Sequence, residues 1–167
     1  RSDYCDYEGE LVVVIGPGGR DISAEDAWDH VAGLCVGQDV SDRAVQMAAT
    51  PPQFSLGKSF DTFGPIGPAV VSPDELDDPS SLHITTHVNG QLRQDGNTAD
   101  LIFDIPTLIE TCSRGITLLP GDIIATGTAA GVGMGMKPQV FLKAGDRMDV
   151  GIEGLGEQHQ VTEAWKG

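Results

Sequence analysis

The alternation of apolar and polar residues along the chain predicts mostly β-strands, separated by turns rich in glycine and proline. The first strand, predicted over residues 7–15, begins with polar positions and ends in a β-branched apolar run that indicates burial. Asn89-Gly90 follows the alternating stretch 83–88 and predicts a hairpin, whose polar return strand at 91–95 forms a sheet edge. Further strands or strand-like runs are predicted at 34–37 and 66–71. The segments 118–125 and 142–153 are each predicted as a turn that leads into a strand, which is buried in the first case, and a polar tail follows the second.

Two helices interrupt this pattern. Ser23 is a candidate N-cap, with Asp26 as its capping-box acid, for a helix that ends near Gly33. A second helix begins at Ile105, carries a proline in its first turn and ends at Gly115. The pattern as a whole predicts a β-rich, loop-rich architecture.

Composition indicates one globular domain spanning residues 1–167, with 40% hydrophobic and 21% charged residues. The formal net charge of −15 argues against a nucleic-acid backbone as a partner. No apolar run approaches the length of a membrane-spanning helix. The three cysteines lie far apart and form neither a zinc motif nor a disulfide framework, so a cytoplasmic location is expected.

The first strand carries candidate chemistry at its polar start. Side chains alternate along a strand, so Glu8 and Glu10 leave the same face, roughly 6–7 Å apart. Two carboxylates beside a buried strand repel each other and resist desolvation, and a shared divalent cation removes both costs. Oxygen ligands favour Mg²⁺, Mn²⁺ or Ca²⁺ over zinc. Alternatively, both glutamates lie on a solvated strand end.

Three more polar residues follow the second predicted strand. Asp39 stands at its exit, a suitable place for a third metal ligand, although its carboxylate could instead cap the following turn. Arg43 and Gln46 share one helical face at i, i+3. They are either surface residues or a binding site for a substrate carboxylate.

Lys58 is the one lysine in an aromatic stretch with three phenylalanines, which predicts burial of the segment. A half-buried ammonium group usually requires an anionic partner, although a snorkelling lysine is the alternative. Thr126, Gly127 and Thr128 open a glycine-rich loop after an apolar strand. Such a loop brings backbone amides close to an anionic group, for example a carboxylate or enolate oxygen, and its spacing does not match a dinucleotide-binding motif.

Taken in order, five segments resemble the fumarylacetoacetate hydrolase family, over nearly the whole chain and across the family's C-terminal catalytic domain. The segments are YEGELVVVIG, GQDVSDRAVQ, SLGKSFDTFGPIGP, NTADLIFDIPTLIE and LLPGDIIATGTAAGVG. The resemblance implies a mixed α/β, β-dominated roll or distorted barrel with a few short helices. It also implies a homodimer.

The resemblance assigns roles to the residues identified above. Glu8, Glu10 and Asp39 match the family's ligands for Mg²⁺ or Mn²⁺, and Lys58 matches its lysine. Thr126, Gly127 and Thr128 match the loop that binds the substrate's carboxylate end, while Arg43 and Gln46 match residues near substrate. The chain departs from the family where Asp42-Arg43-Ala44 replaces A-R-D and where Ala129 replaces the proline after T-G-T. The family's upstream histidine–glutamate lid pair has no counterpart in this sequence.

The resemblance implies an enzyme acting on small β-keto acids through a metal-stabilised enolate. A hydrolase cleaving a C–C bond of an acylpyruvate is expected first. An oxaloacetate-type decarboxylase, or an isomerase of dicarboxylates from aromatic catabolism, is the alternative. Because the lid pair activates water or moves protons, a non-catalytic family remnant is the third possibility.

Overall fold

The computed structural model describes residues 2–166, which form nine strands, two α-helices and five 3₁₀ turns. In chain order the strands are β1 (Cys5–Asp6), β2 (Gly9–Ile15), β3 (Val31–Gln38), β4 (Ser41–Asp42), β5 (His83–Val88), β6 (Gln91–Asn97), β7 (Ile123–Thr128), β8 (Arg147–Ile152) and β9 (Gly156–Val161). The α-helices are α1 (Arg43–Gln46) and α2 (Ile105–Gly115). The 3₁₀ turns lie at Ala27–His30, Leu56–Lys58, Pro73–Glu75, Thr98–Asp100 and Gly133–Gly135. Among the described helices none is long and apolar enough to span a membrane.

β2 is the central strand of a three-stranded antiparallel sheet, between β3 and β7. The first strand predicted from the sequence is therefore confirmed, and its Val13 and Ile15 are fully buried. The turn into a strand predicted within 118–125 is confirmed, because a turn at 120–121 leads into β7 at Ile123. The predicted burial of this strand is wrong: Ile123 is 50% exposed, because β7 lies at the edge of the sheet.

The second large sheet has the antiparallel order β6-β5-β8-β9. Its first hairpin is confirmed, since Asn89 and Gly90 have φ values of +52° and +75°, the left-handed conformation that a type I′ turn requires at both central positions. β6 is an edge strand of this sheet, as predicted.

The predicted polar tail after residue 153 is wrong, because this segment pairs with β8 as β9. Its inward-facing Gln158 is buried, and the side-chain amide donates to the carbonyls of Val36 and Gly67 at 2.7 and 2.9 Å. A buried polar residue is stable when its hydrogen bonds are satisfied. Polarity therefore did not distinguish this strand from a solvated tail.

The two large sheets and α2 pack around one apolar core. α2 matches its predicted range; Asp104 caps it by accepting from the Thr107 amide at 2.9 Å, and Pro106 lies in its first turn. Core side chains come from both sheets and from the helix: Leu11, Val13, Leu34, Val36, Ile84, Ile109, Val150 and Ile152. The β-dominated fold class with few short helices is confirmed, although the sheets of the described residues do not close into a barrel.

The helix predicted from Ser23 to Gly33 is wrong. The capping contacts do form, because Ser23 Oγ donates to Asp26 Oδ2 at 2.7 Å and accepts from the Asp26 amide. Only one 3₁₀ turn follows, and Val31 already begins β3. The β-branched and glycine residues of this segment favour the long pairing with β2 over a helix.

Two predictions fail between α1 and β5. Phe54 is 55% exposed, so the phenylalanine-rich segment is not buried as a whole. The run 66–71 forms no strand; each of its ends makes a single isolated bridge to β3. Gly67, at φ +126°, and Pro68 interrupt the extended conformation that a strand needs.

Truncation of the core-facing side of α2 tests this packing. Ile109 is fully buried, so Ile109→Ala should lower the free energy of unfolding by about 2–5 kcal/mol in urea denaturation. Ile102→Ala is the matched control, because this side chain is 91% exposed and its loss should change the stability little. Equal effects of the two substitutions would contradict the described core.

Candidate metal centre and active site

Strand pairing brings three carboxylates to one end of the first sheet. Glu8 directly precedes β2, and within the sheet Gly9 lies opposite Gln38 and Glu10 opposite Gly37. The amide of Asp39 donates to the carbonyl of Glu8 at 2.8 Å, which continues the pairing one residue beyond β3. The strand-exit aspartate therefore lies beside the glutamates.

The three carboxylates form one cluster. Glu8, Glu10 and Asp39 each offer an oxygen, and these oxygens all lie within 4.8 Å of one another. Glu8 and Glu10 are only 9% and 3% exposed, so the alternative of a solvated strand end is wrong. Oxygen donors alone are the ligand set that Mg²⁺ and Mn²⁺ prefer, and this donor set fits such an ion.

Gly9, between the two glutamates, is fixed by the second sheet. Its amide donates to Gln94 Oε1 at 2.9 Å, and the Gln94 amide group donates to Thr128 Oγ1 at 2.7 Å. A side chain at position 9 would collide with Thr86 Oγ1, so the sheets approach each other here as closely as glycine allows. Gln94 is buried on β6 and supports the backbone between the two glutamates. The sequence did not indicate this role, because the polar residues around it predicted only a solvent-facing edge strand.

Lys58 joins two of the acids. Its ammonium group donates to Glu8 Oε2 at 2.6 Å, to Asp39 Oδ2 at 2.5 Å and to Ser41 Oγ at 2.9 Å. Burial alone would lower the pKa of Lys58, but the hydrogen bonds to Asp39 and Glu8 outweigh it and raise this pKa. The lysine is therefore a fixed cation, and the anionic partners expected from the sequence are the candidate metal ligands themselves.

Arg43 and Gln46 occupy the adjoining wall. Both are buried, and Arg43 Nη1 donates to Gln46 Oε1 at 2.9 Å, so they share a helical face as predicted. Arg43 also donates to Glu8 Oε1 at 2.7 Å and to Asp6 Oδ2 at 3.0 Å. Asp6 is fully buried and was not identified from the sequence. The one feature of the sequence that could have indicated Asp6 is its position, as a third acidic residue immediately before the strand predicted over residues 7–15.

The glycine-rich loop closes the site from the side of β7. The hydroxyls of Thr126 and Thr128 donate to the carbonyls of Leu11 and Gly9, at 3.0 and 2.8 Å. The amide of Gly127 donates to Glu10 Oε2 at 2.9 Å. These donors therefore hold the first sheet and a candidate ligand in place. Gly127 has φ +102°, and a side chain there would meet nothing within 4 Å.

The charges of the cluster do not balance by themselves. The four carboxylates of Asp6, Glu8, Glu10 and Asp39 face two cations, Arg43 and Lys58. The imbalance of two negative charges equals the charge of one divalent cation. Burial raises the pKa of Glu10 from 4.5 to about 7; the Gly127 amide opposes this shift, and the charges of Asp39 and Glu8 add to it.

The cluster lines a pocket of about 380 Å³. Eight of the nine residues predicted for the site line this pocket: Glu8, Glu10, Asp39, Arg43, Gln46, Lys58, Gly127 and Thr128. The ninth, Thr126, is buried in β7 behind the pocket wall. Phe54, Ala125, Val132 and Met134 add an apolar side to the lining. The pocket thus combines a candidate metal site of oxygen donors, two cationic groups and room for a small organic acid.

A pocket of this kind at one end of an antiparallel sheet characterises a β-dominated protein with a candidate metal centre of carboxylates. The family profile described as Fumarylacetoacetate (FAA) hydrolase C-terminal matches residues 1–162. The chain therefore belongs to the fumarylacetoacetate hydrolase family, as the sequence motifs predict.

Named relatives place the chain within this family. Oxaloacetate tautomerase YisK of Bacillus subtilis is 51% identical over 155 residues, which cover 93% of this chain and 51% of the relative. The mitochondrial oxaloacetate tautomerase FAHD2B of Bos taurus is 51% identical over 156 residues, covering 93% and 50%. The chain thus spans about half the length of these two relatives.

A solved structure with the same fold contains a metal ion. Fumarylpyruvate hydrolase from Pseudomonas aeruginosa, in complex with Mn²⁺ and pyruvate, superposes with a TM-score of 0.89 at 34% identity. The match covers 99% of this chain and 68% of that structure. The family thus includes a protein that holds Mn²⁺ together with a 2-oxo acid.

The raised pKa of Glu10 predicts a pH-dependent stability of the metal-free chain. Between pH 4.5 and about 7 the folded state binds more protons than the unfolded state, so the free energy of unfolding falls as the pH rises. Glu10→Gln removes this contribution. In EDTA, the free energy of unfolding of Glu10→Gln, relative to that of wild type, should therefore rise by about 3 kcal/mol from pH 4.5 to about pH 7.

Urea denaturation at the two ends of the window measures this difference. Glu25→Gln is the matched control, because Glu25 is exposed and this variant should follow the wild type at both pH values. A Glu10→Gln advantage that stays constant with pH would show that Glu10 titrates normally.

Proposed function

We propose that this chain forms the metal-binding catalytic part of an enzyme that interconverts the keto and enol forms of a small 2-oxo dicarboxylic acid of the oxaloacetate type. The observation that carries the proposal is the cluster of Glu8, Glu10 and Asp39 beside the ammonium group of Lys58. The two oxaloacetate tautomerases at 51% identity support this substrate class.

The reaction moves one proton and needs no other reactant. A proton leaves the carbon next to the keto group, negative charge develops on the keto oxygen, and a proton added to that oxygen completes the enol. Mg²⁺ or Mn²⁺, bound by Glu8, Glu10 and Asp39, would supply positive charge that polarises the keto group. The partial protonation of Glu10 near neutral pH means that the ion competes with a proton for this ligand.

Lys58 is proposed to stabilise the developing charge. Its hydrogen bonds to Glu8 and Asp39 fix the ammonium group at the edge of the ligand cluster, where it faces the pocket. Because the charge is already in place beside the pocket, it can stabilise an enolate electrostatically. The three N–H donors contact Glu8, Asp39 and Ser41, so a direct hydrogen bond to the enolate oxygen requires the release of one of them.

The remaining polar residues are proposed to orient the substrate. Arg43 donates to the side-chain oxygen of Gln46 and so fixes its orientation. The NH₂ group of Gln46 is then a candidate donor for one substrate carboxylate. The wall formed by Gly127 and Thr128, with Thr126 behind it, is proposed to receive the far carboxylate. The missing side chain of Gly127 leaves the room for that approach.

C–C bond hydrolysis of an acylpyruvate is the second candidate function, and the Mn²⁺–pyruvate complex of the Pseudomonas aeruginosa relative favours it. Pyruvate is the fragment that such a hydrolysis releases. Both reactions need a base, and hydrolysis needs a nucleophilic water in addition. Enolisation needs only a group that accepts the carbon-bound proton and a group that delivers a proton to the oxygen. Decarboxylation of oxaloacetate would pass through the same enolate.

We also propose a homodimer as the working form, from the family resemblance. The exposed apolar side chains of Ile116, Leu119 and Ile123 lie on or near the exposed edge strand β7 and suit such an interface.

Ultraviolet absorbance of the enol of oxaloacetate tests the function on the chain as given. EDTA should abolish the acceleration of keto–enol exchange, and added Mg²⁺ or Mn²⁺ should restore it. The rate measured with Glu10→Gln at the same metal concentration gives the contribution of the free ion, because this variant lacks one candidate ligand. Acylpyruvate absorbance and CO₂ release, measured in parallel, identify a hydrolase or a decarboxylase. Acceleration no greater than that of Glu10→Gln would contradict the proposal.

Lys58→Met tests the role of the ammonium group separately. The substitution keeps the length of the side chain and removes its charge, so kcat should fall about 100- to 1,000-fold. Lys143→Met is the matched control, because Lys143 is exposed and does not line the pocket, and the kcat of this variant should equal that of wild type. An unchanged kcat in Lys58→Met would exclude Lys58 as the stabilising group.

A further inference from the structure

Asp6 lies outside the pocket lining, and yet its carboxylate accepts more hydrogen bonds than a helix cap or a surface ion pair requires. Oδ1 accepts from the amides of Tyr7 and Gly133 at 2.9 and 2.8 Å. Oδ2 accepts from the amide of Met134 at 2.9 Å and from Arg43 Nε at 3.0 Å. The side chain is 0% exposed, so each of these contacts replaces a lost contact with water.

The guanidinium group of Arg43 connects the carboxylate of Asp6 to the candidate ligand Glu8. Arg43 Nη2 lies 2.9 Å from Asp6 Oδ2 and 2.7 Å from Glu8 Oε1. Glu8 uses its other oxygen, Oε2, to accept from Lys58. The orientation of Glu8 therefore depends on where Arg43 is held, and Asp6 holds it on the side away from the pocket.

Asp6 also fixes the opposite wall. Its contacts with Gly133 and Met134 anchor the 3₁₀ turn Gly133–Gly135, and Met134 lines the pocket. A side chain at position 133 would collide first with the carbonyl of Val140 and would also lie 2.8 Å from Asp6 Oδ1, so glycine is required where this turn approaches both groups. One buried carboxylate therefore determines the position of a ligand-holding cation and of a pocket wall.

We propose that Asp6 is a positioning residue for the metal centre. It acts through Arg43 on Glu8, and it sets the separation between the ligand cluster and the Met134 wall. The inference rests on the proposed function, because it assumes that Glu8, Glu10 and Asp39 bind a divalent cation.

The charge of Asp6 is part of this role. Arg43 is a cation beside a cation site, and by itself it would repel the bound ion. The carboxylate of Asp6 offsets that charge, while it holds the guanidinium group in the geometry that orients Glu8. Asp6→Asn removes the charge, and the amide NH₂ group at the position of Oδ2 would face two donors, Arg43 and the Met134 amide. Both effects weaken cation binding.

The affinity for Mn²⁺, measured by calorimetry without substrate, tests the inference. Asp6→Asn should raise the Kd about 10- to 100-fold, as expected when a partner that orients a ligand is lost. Asp42→Asn is the matched control. Asp42 is also buried and caps the helix that carries Arg43, but its Oδ1 contacts are the amides of Ala44 and Val45 and the Ser2 hydroxyl, which an Asn carbonyl can still accept.

A purely structural role predicts a different result. If Asp6 only stabilised the fold, Asp6→Asn would lower the melting temperature while the folded protein kept the Mn²⁺ affinity of wild type and of Asp42→Asn. That outcome would overturn the inference. If Asp6→Asn does not fold, Arg43→Lys replaces it, because an ammonium group keeps the charge and cannot bridge Asp6, Glu8 and Gln46 in a planar fork. A Kd for Arg43→Lys equal to that of wild type would equally overturn it.

The same experiment separates this inference from the proposed function. A wild-type chain that binds Mn²⁺ and does not accelerate keto–enol exchange of oxaloacetate would refute the proposed reaction, and the affinities of Asp6→Asn and Asp42→Asn would still decide the role of Asp6. A wild-type chain that binds neither Mn²⁺ nor Mg²⁺ would overturn both.

Discussion

The contact between buried carboxylates and the two cations Arg43 and Lys58 is the interaction on which the site depends. Isolated buried carboxylates would be strongly disfavoured. Each of the two cations contacts two carboxylates, and Glu8 accepts hydrogen bonds from both cations. Removal of either cation would leave charges uncompensated in a region with little solvent. Stability and ligand binding therefore use the same side chains here.

The backbone explains why this cluster can form. The paired ends of β2 and β3 deliver the glutamates and Asp39 from two segments that are adjacent in the sheet. Gln94 comes from β6 of the other large sheet, and Gly127 comes from β7, so four separate parts of the chain must be in register before the candidate ligands meet. A site of this kind is rigid because the main elements of the fold define it. Side-chain packing only completes it.

Much of the site could be predicted from the sequence, because its residues follow local rules. The alternation of a strand places Glu8 and Glu10 on one face, and helical spacing pairs Arg43 with Gln46. Asp6 and Gln94 could not be predicted in this way, since most of their hydrogen-bond partners are distant in sequence and only tertiary structure brings them near. The fold shows the same division. The Asn89-Gly90 hairpin and α2 obey local signals, whereas Val31 joins β3 against a helix cap because pairing with β2 is worth more than the local preference.

The glycine between the two glutamates connects the chemistry to the architecture. Gly9 lies where the first sheet contacts Thr86 of the second sheet. The contact between the sheets therefore acts on the same residue that separates Glu8 from Glu10. A residue larger than glycine at position 9 would require smaller or displaced side chains at positions 86 and 150. Residues of the neighbouring sheet, distant in sequence from Glu8 and Glu10, therefore constrain the backbone that separates these two candidate ligands.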